Sequence, residues 1–93
     1  MLILKDVAVA WPVSTLSDLS VDHISEVIAA GSIEVEFLLL GTGARNGLPP
    51  RELRDALKAA GIGIEFMDTP TAARMYNLLT AEGRRLAAGL IAI

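Results

Sequence analysis

The sequence predicts an α/β fold: a three-layer sandwich with helices over a small, mixed and mostly parallel sheet. Three observations carry this prediction. Runs rich in Leu, Ile and Val recur at residues 2–13, 33–40, 62–67 and 85–93. The segments between them place apolar residues at helical spacing. Gly31, Gly61 and Gly83 stand just beyond those segments, where a helix stops most easily. The order is β-α-β-α-β-α-β, in one domain covering residues 1–93.

The first apolar segment is broken at Lys5-Asp6, which reads as the end of a hairpin. It closes at Trp11-Pro12, because Pro belongs at a strand end or an edge. Ser20 is an N-cap for a helix over 21–30, with Asp22 in the first turn and Gly31 past the end. Its apolar face is Val21, Ile24, Val27 and Ile28. The run 33–40, IEVEFLLL, alternates and then becomes wholly apolar, as in a strand covered on both faces.

Pro49 and Pro50 open the next helix, which runs to Ala60 with Leu53, Ala56, Leu57 and Ala60 inward. Arg51 and Asp55 are spaced to pair on its outer face. Strand 62–67 follows, completing a βαβ unit. Asp68 or Thr69 caps a third helix with Pro70 in its first turn, and Ala72, Tyr76 and Leu79 mark its inner face. The last strand, 85–93, is so apolar that a central place in the sheet is expected.

The composition narrows the function. The chain has 93 residues and is 53% hydrophobic, so an aliphatic core is expected despite few aromatics. A net charge of −3 argues against nucleic acid as a partner. The absence of Cys removes disulfides and thiol nucleophiles and fits a reducing cytoplasm. No apolar run has the length of a membrane span, and MLILKDVAVAWPV does not read as a signal peptide.

The stretch GTGARNG, from Gly41 to Gly47, has the look of a phosphate loop. It lacks the Lys and following hydroxyl of a Walker loop. For a dinucleotide loop Gly41 and Gly43 fit, but Asn46 takes the place of the third glycine. Pro49 and Pro50 also remove two N–H groups that a phosphate would use. The favoured reading, over a nucleotide site, is a sharp turn off a strand end. A small anion on the Gly41–Gly43 backbone, helped by Arg45, is a further alternative.

From Leu38 to Ile93, with an echo in VAVAWPV, the chain resembles the Mth-type domain of unknown function. That family includes the adipogenesis-associated Mth domain-containing protein and a mitochondrial complex I assembly factor. The marks are Gly41-Thr42-Gly43, Gly61-Ile62-Gly63, Met67-Asp68-Thr69, Arg74 with Tyr76-Asn77, and Glu82-Gly83-Arg84-Arg85. The resemblance implies a bacterial relative with a mixed sheet in which one strand opposes the others. It implies protein contacts rather than an assigned activity. Family domains usually carry a further N-terminal hairpin, whose equivalent here begins within at Met1. Exposed apolar surface and self-association are therefore expected.

Individual residues leave alternatives open. Asp68 is a helix cap, or a carboxylate facing a cleft beside Gly41, Thr42 and Gly43. Arg74 and Asn77 form a solvated face, or Arg74 reaches Asp68 or the glycine loop. Tyr76 reads as core, and His23 as solvent-exposed. Glu34 and Glu36 read as alternating on one solvated strand face, and Arg84-Arg85 as complementing a helix end. No catalytic set, metal site or cofactor is read. Two functions follow. The first is a non-enzymatic module that binds a protein or itself, as a homodimer, through a sheet edge and the Gly41–Asn46 surface. The second is a small anionic-ligand protein or enzyme, with a cleft at Thr42, Arg45, Asp68 and Arg74.

Overall fold

The computed structural model describes residues 1–5 and 7–93. Five strands, β1 (Leu2–Leu4), β2 (Val7–Val9), β3 (Phe37–Gly41), β4 (Gly63–Met67) and β5 (Leu86–Leu90), make one mixed sheet in the order β2-β1-β5-β3-β4. Three α-helices, α1 (Ser25–Glu34), α2 (Arg51–Ala59) and α3 (Thr69–Ala81), join them. β3 is parallel to β4 and β5, while β1 is antiparallel to both neighbours, β2 and β5. β1 is thus the one strand that opposes the rest. The expected fold class is present, with the first segment split into two strands.

The sheet is covered on both faces because each strand alternates. One face sends Leu38, Leu40, Ala87 and Ile91 against Ile24 and Val27 of the first helical region and Leu53 and Leu57 of α2. The other sends Phe37, Leu39, Leu86, Ala88 and Leu90 against α3, whose Ala72 is fully buried and whose Tyr76 and Leu79 pack alongside. Each fully buried Leu contributes about 1.5–3 kcal/mol. β5 is central, as its composition predicts, and its small residues let neighbours close in. At Gly89 a Cβ would lie 2.7 Å from Cη2 of Trp11. Trp11 is fixed there by its Nε1–H, which donates to the His23 carbonyl at 3.0 Å.

The hairpin falls where the break in the sequence places it. Leu4 pairs with Val7, and Lys5 takes a φ of 51°. The other half of that expected bend, Asp6, lies outside the described residues. The helix stops are also as expected. Gly61 and Gly83 have φ of 75° and 79°. At α2, Gly61 N–H donates to Lys58 O and Ile62 N–H to Leu57 O; at α3, Gly83 and Arg84 bond Thr80 and Leu79 in the same way. Each is a Schellman motif, which satisfies the last free carbonyls of the helix. Arg51 and Asp55 pair at 3.6 Å.

Four expectations need correction. Residues 21–30 are not one α-helix: Val21–Ile24 is a 3₁₀ turn and α1 runs from Ser25 to Glu34. Gly31 does break its regular geometry, with φ 80° and ψ 170°. The strand at 33–40 begins only at Phe37, because the chain makes a further turn after Gly31 that leaves Ile33 81% exposed. Glu34 and Glu36 therefore do not share a strand face. Glu34 ends α1 and pairs with Lys5 at 2.7 Å, while Glu36 pairs with Arg84 and Arg85. His23 is half-buried rather than exposed. Its Nδ1 accepts a hydrogen bond from Ser20 N–H at 3.0 Å, so it serves the helix start.

Candidate functional site

The glycine loop leaves β3 at the carboxyl end of the parallel strands, where α/β proteins commonly bind ligands. Its geometry is set by Thr69, the first residue of α3. The Thr69 hydroxyl accepts from Gly43 N–H at 2.9 Å and donates to the Ile91 carbonyl at 2.6 Å. Thr69 N–H donates to Gly43 O at 2.8 Å, and Ile91 N–H to Gly41 O at 3.0 Å. One hydroxyl thus ties together the ends of β3, β4 and β5. Gly41 is needed for this approach: a Cβ there would lie 2.8 Å from Thr69 Oγ1 and 2.9 Å from Thr69 Cα.

Thr42 is buried, with only 7% of its surface exposed. Its N–H donates to Met67 O at 2.8 Å, and its hydroxyl lies 2.7 Å from Arg45 O and 3.1 Å from Met67 O. Thr42 and Gly43 therefore spend their N–H groups inside the fold. The role of Thr69 escapes sequence reasoning, because no spacing rule marks a threonine that joins three strand ends.

Asp68 is the N-cap of α3: its carboxylate accepts from Thr71 N–H at 2.9 Å. That bond holds the Asp68 carboxyl below its ordinary range, with the Thr71 hydroxyl and the nearby Arg74 charge acting in the same direction. Arg74 is exposed and donates to Thr71 Oγ1 at 3.3 Å. The structure thus gathers Gly41, Thr42, Gly43, Asp68 and Thr69 at one sheet end, with Arg74 one helix turn along. The Arg45 side chain is exposed, and Asn77, also exposed, lies a further turn down α3. Among the described residues no three His, Asp or Glu side chains converge on a metal position.

The sheet's two edges form the other candidate surfaces. β2 is exposed throughout, with Val7 61% and Val9 44% exposed. A groove of about 480 Å³ runs between it and α1, lined by Leu2, Leu4, Val7, Val9, Ala29 and Ala30 and by the charged Lys5, Glu26 and Glu34. At β4 a groove of about 600 Å³ lies between the strand and α3, over Phe37 and Leu39. Its near end is closed by Glu36, whose carboxylate takes bonds from Arg84 Nε at 3.0 Å and Arg85 Nη2 at 3.2 Å. Those bonds, Arg84 first, hold Glu36 below the ordinary carboxylate range. Arg84 also stacks on the Phe37 ring, 5.2 Å from its centroid.

A family model described as "Protein of unknown function (DUF498/DUF598)" matches residues 1–91. The chain belongs to the DUF498/DUF598 family. A curated relative, NADH dehydrogenase [ubiquinone] 1 alpha subcomplex assembly factor 3 of Danio rerio, is 38% identical over 89 residues. The match covers 96% of this DUF498/DUF598 chain and 51% of the relative, so the chain spans about half the relative's length. A crystal structure of a Bordetella parapertussis protein aligns with TM-score 0.83 at 38% identity, covering 97% of this chain and 75% of that one. A solution structure from Bordetella pertussis, described as a Mth938-like domain, aligns with TM-score 0.76 at 33% identity, covering 97% and 71%. The Mth-type resemblance read from Leu38 to Ile93 and the DUF498/DUF598 membership thus agree. No helix among the described residues is long and apolar enough to cross a membrane.

Proposed function

We propose that this chain is a non-enzymatic interaction module of assembly type, acting in the cytoplasm through a protein partner and through self-association. The observation that carries this reading is the contrast between the sheet's ends and its edges. At the strand ends the loop N–H groups of Thr42 and Gly43 are bonded inside the fold. At the edges, β2 displays Val7 and Val9 beside a groove lined by apolar side chains together with Lys5, Glu26 and Glu34. The assembly-factor name of the Danio rerio relative supports the same reading. Self-association is assigned to β2, which carries no charged residue to discourage strand pairing.

Sedimentation equilibrium and native mass spectrometry test the reading. The expected result is a dimer that Val9→Lys converts to monomer while circular dichroism stays unchanged. A chain that remains monomeric at high micromolar concentration sinks the self-association. A second reading, a small anionic ligand held near Arg45, Asp68 and Arg74, draws support from the exposed Arg74 guanidinium beside Asp68. It predicts a small added mass in the gentle native spectrum, lost in Arg74→Ala.

A further inference from the structure

We propose that the β4 edge accepts an extended segment of another protein in which apolar residues flank a basic one. This rests on the reading of the chain as an interaction module, and it names the partner chemistry of one edge.

The backbone supplies the first argument. Gly63 N–H donates to Glu36 O, and Met67 O accepts from Thr42 N–H, so both residues turn their polar groups toward β3. Strand alternation places Glu65 with them and turns the N–H and C=O groups of Ile64 and Phe66 outward, along an edge with no strand beyond it among the described residues. An added strand bonds to such groups, while pockets for its alternate side chains select its sequence.

The groove supplies those pockets. α3 packs over β3 and β5 and leaves the same face of β4 open. Phe37 and Leu39 form the floor, and Met67, Met75 and Leu79 the walls. Gly63 lets β4 run close to Phe37, where a Cβ would already lie 3.3 Å from Phe37 Cβ, so the open part of the groove lies toward Leu39, Met67 and Met75. Met67 and Met75 adapt readily to differently shaped side chains.

Charge selects the occupant. Glu65 stands on the groove face of β4, is exposed, and makes no ion pair among the described residues. Glu36 at the groove's end is paired with two arginines, Arg84 lining the groove itself, so that end carries a net positive charge. The centre of the groove therefore presents one uncompensated negative charge, which a Lys or Arg on the added strand would meet. The same residue turns away a second copy of this chain. An antiparallel two-fold pairing centred on Glu65 sets that carboxylate opposite its own image, and like charges directly opposed are destabilising.

A displayed random heptapeptide library, selected on the intact chain, tests the proposal. Enriched peptides are expected to share an apolar–basic–apolar pattern. A synthetic copy of the enriched peptide should slow hydrogen exchange at the Ile64 and Phe66 amides. Glu65→Lys should weaken its binding about tenfold and Glu65→Gln about threefold, with the wild-type affinity falling as salt rises. Both changes are at an exposed position and should leave sedimentation behaviour as it was. Enrichment without basic residues, equal binding by Glu65→Lys, or protection at Val7–Val9 instead overturns the β4 assignment while leaving an interaction module standing. No enrichment overturns the β4 assignment, and combined with a monomeric chain it removes the broader reading too.

Discussion

Replacing Gly41 by Ala puts the strand-end lock to its hardest test. The added methyl would sit 2.8 Å from Thr69 Oγ1, 2.9 Å from Thr69 Cα and 3.1 Å from Leu90 Cδ2. Two of these separations are below any distance that real Cβ contacts tolerate, and one involves backbone, so α3 must move away from β3. Overpacking of this kind costs about 1–3 kcal/mol. The movement also stretches the Thr69 hydroxyl bonds to Gly43 and Ile91, each contributing roughly 1 kcal/mol. The sum is about 3–5 kcal/mol if both bonds are lost, read by urea denaturation. For a domain of this size it corresponds to a melting temperature lower by roughly 12–40 °C. Thr69→Val, which keeps the shape and removes the hydroxyl, should cost about 1–3 kcal/mol. Because both changes attack the same bonds, the double variant should lose less than the sum of the two. A Gly41→Ala chain within about 0.5 kcal/mol of the parent would refute the account of the lock.

Two further outcomes are expected. Gly89→Ala would bring a Cβ to 2.7 Å from Cη2 and 3.0 Å from Cζ3 of Trp11. The ring should swing toward water, and since Trp11 is the chain's single tryptophan, red-shifted emission reports it directly; unchanged emission would show that the ring does not sit on Gly89. In acid, Asp68 and Glu36 both have carboxyl groups held below their ordinary values of 3.8 and 4.5. A depressed folded-state value adds stability above the unfolded value and loses it as pH falls through the folded one. Stability should therefore decline from about pH 4.5 downward, and the combined Asp68→Asn, Glu36→Gln chain should show a flatter acid limb in melts taken between pH 7 and 2.5.

Much of the fold was legible because local chemistry decides it. Gly61 and Gly83 stop helices through a backbone conformation that few other residues enter. Asp68 caps α3 with a bond formed within four residues, and the unbroken apolar run of β5 required cover on both faces. Most of what failed depended on contacts distant in sequence. The segment from Ser32 to Glu36 alternates like a strand, yet tertiary packing gives it a turn, and the glutamates there find Lys5, Arg84 and Arg85 instead. His23 was misread because its ring serves Ser20, which no hydropathy pattern records. Of the candidate residues, Gly41, Thr42, Gly43 and Asp68 lie at the strand ends, with Arg74 and Asn77 farther along α3. Thr69 was missed as their keystone, since its role exists only once three strand ends meet. The edge grooves were invisible for a related reason: they are defined by how far a helix reaches across the sheet.

The placement of β5 also bears on how the chain acquires its structure. It comes last among the strands and lies in the middle of the sheet. Leu90 N–H bonds to Met1 O, across almost the whole described chain. Until β5 exists, the β1–β2 hairpin and the β3–β4 unit share no sheet bond and must wait apart. On a ribosome, which adds about 5–20 residues per second, each half would therefore emerge with an apolar border unsealed for several seconds. Assembly of the sheet is then a single closing event, slow because it joins the most distant segments. The interval before it is when those borders are most open to pairing with another chain.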